Sequence, residues 1–216
     1  MLKEKKYESK NKYNLKKRVF DTLNNLLVLF GKEGLKKNKK IIDLGAGDFS
    51  FVKVCSEKGL KAEGIDINNN IDFEIDKIPK KKKYYDIVTA LSVIEHLYSP
   101  AIFLNEIIRI LKPKGALILV LPNWNYTIKT FYNNPTHVHP YNPDSIYRLL
   151  ISYGFEQVHV MPWLVKKPLW MWKLPFAFFF ANKIIPFSGA ASKFIPRFLK
   201  GSSSSMLVLA IKKEVD

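Results

Sequence analysis

The chain has 216 residues, 47% of them hydrophobic and 25% charged, a balance that suits one globular domain (1–216) with a sizeable core and excludes a disordered or fibrous chain. A single cysteine, Cys55, excludes a disulfide framework and fits a reducing compartment; Met1 to Lys17 is charged, without the apolar core of a signal peptide. The net charge of +16 invites a nucleic-acid partner, yet only four of the 35 basic residues are arginine, and lysine lacks the planar fork that clamps phosphates. The lysine excess therefore reads as solvated surface first, as attraction to an anionic membrane surface second, and as a nucleic-acid groove last.

Residues 1–13 are polar and expected to be frayed. From Asn14 onward Val19, Phe20, Leu23, Leu26, Leu27 and Phe30 recur at helical spacing, and Gly31 and Gly34 close the helix. A lysine-rich linker leads into the apolar run Ile41-Ile42-Asp43-Leu44, which breaks at Gly45-Ala46-Gly47 and enters a helical pattern from Ser50 to Lys58. Strand, glycine turn and helix is the geometry that lets backbone approach a ligand closely, because glycine has no Cβ to block it. A second short run, Gly64-Ile65-Asp66-Ile67, ends in a carboxylate. An acidic residue at the tip of the second strand is where a doubly wound α/β sheet hydrogen-bonds ribose hydroxyls.

The third glycine of a dinucleotide fingerprint is missing, with Phe49 or Ser50 in its place, which argues against a dinucleotide. Asp43 ahead of Gly45-x-Gly47 resembles instead the first motif of the class I S-adenosylmethionine (SAM) methyltransferases. The resemblance extends along the chain. Tyr85–Ala90 is a buried strand followed by Leu91-Ser92-Val93-Ile94-Glu95-His96, similar to the segment after the fourth strand in the ubiquinone- and glycan-modifying branch. Ser99-Pro100 starts a helix that ends at Leu111-Lys112-Pro113-Lys114-Gly115 and leads into the strand Ala116–Leu121, a signature of the family. His137-x-x-x-Tyr141-x-Pro143 again resembles that branch, and Asn142-Pro143-Asp144 opens a helix through Ser152. The base-methylating motif Asn/Asp-Pro-Pro-Tyr/Phe is absent after the fourth strand.

The resemblance implies a Rossmann-like α/β fold with a seven-stranded, mostly parallel sheet, helices on both faces and an antiparallel last strand. It implies SAM as cofactor, with Asp43, Gly45, Ala46, Gly47, Asp66, Ile67, Ala90 and Leu91 around it. Between Asp66 and the next apolar alternation, Ile71, Phe73, Ile75, too few residues remain for the usual crossover helix. Asp72 or Asp76 would then receive the adenine amino group, with Asp72 favoured and a solvated loop as the plain alternative. His96 and His137 are the candidate catalytic bases, because imidazole titrates near neutral pH. His137 and His139, spaced i and i+2 without a third ligand in reach, make no metal site, and none is expected. The N-terminal helix either lies over the cofactor or merely covers the sheet.

Between the strands Glu156–Met161 and Met206–Lys212 lies an insertion, 162–205, in which ten Trp and Phe side chains are interleaved with lysines and broken by prolines. No stretch reaches the about 18 apolar residues of a spanning helix. Aromatics beside lysines suit a segment lying in the headgroup layer, a roof over an apolar substrate, or a subunit contact. The expected activity is methyl transfer to a small, amphiphilic or lipid-linked acceptor such as a sugar or quinone-type hydroxyl. The alternatives are an RNA or protein methyltransferase and a non-catalytic SAM-binding scaffold. The expected setting is cytoplasmic, with peripheral contact to a membrane surface through 162–200 and no nucleic-acid partner.

Overall fold

A computed structural model describes residues 2–67, 71–163 and 204–214, with side chains from residue 11. Six strands form one sheet: β1 (Lys40–Leu44), β2 (Lys61–Ile65), β3 (Tyr85–Leu91), β4 (Leu111–Pro122), β5 (Phe155–Pro162) and β6 (Ser205–Lys212), in the order β2-β1-β3-β4-β6-β5. β2, β1, β3 and β4 run parallel, while β6 is antiparallel to both neighbours, as expected of the last strand. Five helices accompany them among the described residues: α1 (Leu2–Leu29), α2 (Ser50–Glu57), α3 (Ala101–Ile110), the single turn α4 (Trp124–Thr127) and α5 (Pro143–Ser152).

Period-2 alternation along the strands divides the core in two. Ile42, Leu44, Val88, Ala90, Leu117, Leu119, Val208 and Ala210 face α3 and α5. Ile41, Ile87, Ala116, Ile118, Leu207 and Leu209 face the other way, onto Phe51 and Val54 of α2 and Val19, Phe20, Leu23, Leu26 and Leu27 of α1. The apolar stripe on α1 is thus an ordinary core face, and it covers the sheet. Its N-terminal end does more. Lys12 pairs with Asp48 at 2.7 Å, and Tyr13 donates to Glu57, so the helix also reaches the glycine turn after β1.

Two expectations are corrected. The helix begins at Leu2, not at Asn14, so the polar run 1–13 is largely helical, with Lys12 and Tyr13 held to α2 and its entry turn. Among the described residues the sheet has six strands, not the seven expected. Ile71–Ile75 forms a turn, in which Asp76 N–H bonds the Asp72 carbonyl at 2.8 Å, and only Phe73 is buried while Ile75 is exposed. Phe73 and Ile78 belong to the α3-side core, Phe73 lying 5.2 Å from Phe103.

The crossover from β2 to β3 is made without a helix among the described residues, as the short spacing required, and α3 supplies the bonds a helix would have made. Ile78 N–H donates to Glu106, and the Arg109 guanidinium donates to the Ile78 and Lys80 carbonyls at 2.7 and 2.8 Å and pairs with Glu106. This satisfies backbone groups that a buried loop otherwise leaves unpaired.

The insertion expected at 162–205 lies, from 164 to 203, outside the described residues. Its two ends do not: Pro162 pairs with Met206, and Pro122 with Ser205, so the chain leaves and re-enters the sheet at the end where β4 stops. No helix among the described residues is long and apolar enough to cross a membrane.

Candidate active site

The parallel strands β1, β2 and β3 deliver their C-terminal ends to one edge of the sheet, where open α/β sheets bind ligands. β1 delivers the turn Gly45-Ala46-Gly47, with Gly45 at φ 76° and Gly47 at φ 58°, a left-handed backbone that favours glycine. Gly45 also has no room for a side chain, since a Cβ there would stand 2.4 Å from Val93 Cγ2. At Gly47 an added Cβ would meet nothing within 4 Å, so its open side is free for a ligand to approach.

The polar groups of this turn are mostly engaged within the protein. Gly45 and Ala46 N–H groups both bond the Ile65 carbonyl, at 2.7 and 3.0 Å, and Gly47 N–H donates to Asp66 Oδ2 at 2.8 Å. Asp48 stands at the start of α2, where Ser50 N–H and hydroxyl donate to its carboxylate and Lys12 pairs with it. A pyrophosphate needs free N–H donors at such a helix start, without an anion already there. The turn therefore suits a ligand that needs backbone clearance and carboxylate acceptors, which describes a nucleoside carrying an amino acid better than a dinucleotide.

Two carboxylates flank the turn. Asp43 is 4% exposed and accepts a 2.6 Å hydrogen bond from the Thr89 hydroxyl of β3. Burial pushes its pKa up to about 6, against the downward pull of Thr89 and of the half-buried Lys16 ammonium on α1. Asp66, at the tip of β2, is 9% exposed and anchored through Gly47 N–H.

Of the other residues expected around the cofactor, Ala46 is buried in the turn, Ala90 and Leu91 end β3 beside it, and Ile67 is 70% exposed just past Asp66. Asp72 is not brought to the turn by any described hydrogen bond: its carboxylate accepts from Glu74 N–H, and its own N–H donates to Asp76. Both aspartates brace the turn that replaced the expected strand.

The histidines expected to serve as bases do come together. After β3 a 3-10 turn, Ile94–His96, carries Glu95 and His96, and the Glu95 carbonyl accepts from both Val138 and His139 N–H, at 3.0 and 3.1 Å. That clamp brings the His137 ring to 4.8 Å from the His96 ring. His96 Nδ1 lies 2.9 Å from the Thr136 carbonyl, and His137 Nδ1 lies 2.9 Å from the Phe131 carbonyl. A carbonyl only accepts, so each Nδ1 carries the proton and each Nε2 is left as the basic nitrogen. Burial lowers the His137 pKa, with His96 adding to the effect. His139 is elsewhere, stacked on Tyr141 at 4.6 Å.

Sequence reasoning had passed over Glu95, which is 1% exposed and has one carboxylate oxygen, Oε2, without a partner among the described residues. Burial pushes its pKa up to about 7, with its own backbone and Ser92 drawing it back. The adjacent Glu-His dipeptide was its only signal. Thr89 and Val93, which fix Asp43 and Gly45, had none.

Residues 12–160 match the family model described as a methyltransferase domain. The chain belongs to that family, and its domain is that of a SAM-dependent methyltransferase. Over 85 residues it is 34% identical to a probable S-adenosylmethionine-dependent methyltransferase of Mycobacterium tuberculosis, a match covering 38% of this chain and 31% of that protein. Over 121 residues it is 31% identical to an uncharacterized protein of Methanocaldococcus jannaschii, covering 51% of this chain and 52% of the relative. These matches thus span 31% and 52% of the curated relatives' length. Among solved structures, a SAM-dependent methyltransferase from Archaeoglobus fulgidus superposes with a TM-score of 0.56 at 20% identity, covering 82% of this chain and 88% of that one. A sarcosine dimethylglycine methyltransferase, so named provisionally, from Galdieria sulphuraria superposes with a TM-score of 0.59 at 16% identity, covering 91% and 86%. At such identities the superpositions establish the fold.

The residues present fit SAM. The clearance at Gly47, the carboxylate of Asp66 at the tip of β2 and the buried carboxylate of Asp43 beside the turn offer the backbone room and the acceptors that its hydroxyls and ammonium require.

Proposed function

We propose that this protein transfers a methyl group from SAM to a hydroxyl of a small, amphiphilic acceptor, lipid-linked sugar or quinone-type, as in the ubiquinone- and glycan-modifying branch that Ile94-Glu95-His96 and His137-x-x-x-Tyr141-x-Pro143 resemble. The observation that carries the reading is the convergence of two sets of groups on one edge of the sheet. Gly45, Gly47, Asp43 and Asp66 stand at the ends of β1 and β2; His96 follows the neighbouring β3, just after Val93 that packs on Gly45, and His137 joins it from the segment after β4.

When bound, SAM supplies an electrophilic methyl carried on a sulfonium. Asp66 accepts the ribose hydroxyls, Asp43 faces the ammonium, and Gly47 leaves room for the chain between them. Fixing the acceptor oxygen in line with the methyl is the main contribution such a site makes. A basic Nε2 of His96 or His137 takes the hydroxyl proton as the oxygen forms its new bond.

Two features support an amphiphilic acceptor. The aromatic and lysine-rich run departs at Pro162 and returns at Ser205, at the site's end of the sheet. At that end, Asn123, Tyr126, Pro143 and Met161 border a cleft of about 190 Å³, apolar and polar in mixture. The run also supports peripheral contact with an anionic membrane surface, where indoles and snorkelling lysines are stable.

Incubating the protein with methyl-labelled SAM and a fractionated cell extract tests the reading. Label in the organic phase is expected, on an ether oxygen. Label confined to RNA or protein would replace the acceptor assignment, and a folded, SAM-binding protein that labels nothing would mark a scaffold.

A further inference from the structure

We propose that Glu95, His96 and His137 form a binding site for a divalent first-row transition ion, with zinc the ion that the two-imidazole, one-carboxylate set suits. One donor atom from each of the three residues lies within 4.8 Å of the other two. Donors about 2.0–2.2 Å from a single tetrahedral ion stand roughly 3.3 Å apart, so the three need to close by up to about 1.5 Å. Side-chain torsion of His96 and His137, both half-buried, provides that movement.

Three features go beyond proximity. Both imidazoles are oriented as ligands are: each Nδ1–H is held by a backbone carbonyl, Thr136 for His96 and Phe131 for His137, which leaves both Nε2 lone pairs for an ion. Such partners fix the tautomer and ring plane of metal-binding histidines. Glu95 Oε2 is a polar atom buried in a 1% exposed residue with no partner among the described residues. Leaving a buried acceptor unpaired is costly, and a cation beside it removes that cost. Third, the arrangement is built from the backbone outward, since the double hydrogen bond onto the Glu95 carbonyl sets His137 against residues 41 and 42 positions earlier in the chain. The pairing looked for in the sequence, His137 with His139, is the wrong one because His139 turns to stack on Tyr141.

Three protein donors leave a position open, the pattern of sites that act on a bound oxygen. On the reading proposed above, the open position is where an acceptor hydroxyl would bind. With both Nε2 lone pairs on the ion neither imidazole would act as the base; the ion would instead lower the hydroxyl's pKa so that the proton passes to water, and the oxygen would form its bond to the methyl as the sulfonium bond breaks. This consequence rests on that reading; the ion site itself does not.

The test is zinc titration of the full chain by calorimetry after exhaustive dialysis against chelator, with cobalt substitution read from visible absorption. One ion per chain is expected. His96→Ala, His137→Ala and Glu95→Gln should each weaken binding at least tenfold, and His139→Ala should not. In the unmutated protein, zinc should protect His96 and His137 from diethylpyrocarbonate while His139 stays reactive, which avoids any question of variant folding. Absence of stoichiometric binding, or zinc protection that spares neither His96 nor His137, would overturn the site. Zinc bound without methyl transfer would instead sink the reading of function, and methyl transfer indifferent to chelator with no zinc bound would sink the site alone.

Discussion

Asp66 offers the most direct test of the cofactor site, because the structure separates its two duties. Its Oδ2 accepts from Gly47 N–H at 2.8 Å and so holds the turn, while the same carboxylate is assigned to the ribose. Asp66→Ala would remove both and confuse a folding defect with a binding defect. Asp66→Asn keeps an oxygen for Gly47 and removes only the charge. Hydrogen bonds to charged groups contribute roughly 1.5–3 kcal/mol and neutral ones about 0.5–1.5 kcal/mol, a loss of about 1–1.5 kcal/mol per bond. Two ribose bonds give about 2–3 kcal/mol, or roughly a 30- to 150-fold weaker Kd for SAM. Calorimetric titration measures that Kd, and a thermal melt checks the fold. The alanine variant should melt lower, since it leaves the Gly47 N–H without the acceptor that holds the turn. An asparagine variant that melts like the unmutated protein and binds SAM with unchanged affinity would refute the ribose assignment.

Gly47→Ala should cost only about 1–2 kcal/mol of stability, the strain of a left-handed non-glycine residue, because nothing lies within 4 Å of the new methyl. It should nonetheless weaken SAM binding at least tenfold, and equal SAM titrations would show that no ligand uses the space. The Asp43 carboxyl, pushed up to about 6 by burial, binds its proton more tightly folded than unfolded. Its contribution to stability is therefore present below its ordinary pKa and lost as pH rises through about 6. SAM affinity should run the other way, falling as pH drops below about 6 and the charge facing the ammonium disappears; Asp43→Asn should flatten that dependence, measured by titration between pH 5 and about 7.5.

The sequence was most legible where local chemistry and tertiary packing agree. Each of β1, β3 and β4 is an apolar run bounded by glycine, lysine or proline, and the Asn142–Ser145 capping box that starts α5 was plain in Asn-Pro-Asp. Ile71, Phe73 and Ile75 alternate as a strand would, yet only Phe73 is buried, against Phe103, while Ile71 packs partly on the same core and Ile75 is exposed. Alternation cannot reveal that Arg109 and Glu106 of α3 hold the following loop instead. The helix start was missed for the opposite reason. A lysine-rich end makes no apolar pattern, and its supports, Asp48 and Glu57, lie far along the chain. Glu95 was hidden because a lone Glu-His pair carries no periodicity and its burial is set by the residues around 137–141.

The missing third glycine shows how a motif can be incomplete while its physics is preserved. In a dinucleotide fingerprint that glycine lets the helix pack closely on the neighbouring strand. Here Ser50 stands at that position, and Phe49 just before it is held at φ 58°, a conformation it adopts at some cost. The clearance has moved across the contact to Gly64 of β2, where a Cβ would stand 2.8 Å from both Ala46 Cβ and Val52 Cγ2 and 3.0 Å from Phe49 Cδ1. Val52 and Phe49 can rotate away, but Ala46 Cβ is fixed to the backbone. Gly64→Ala should therefore destabilise the protein by about 1–3 kcal/mol, the range for overpacking. Moving the glycine back, as Ala46→Gly with Gly64→Ala, should recover at least about 1 kcal/mol relative to the sum of the single changes, since the two methyls compete for one space. Denaturant unfolding of the four proteins closes the cycle. Additive effects would mean that β2 and the turn do not touch as described, and that Gly64 is present for some reason other than room.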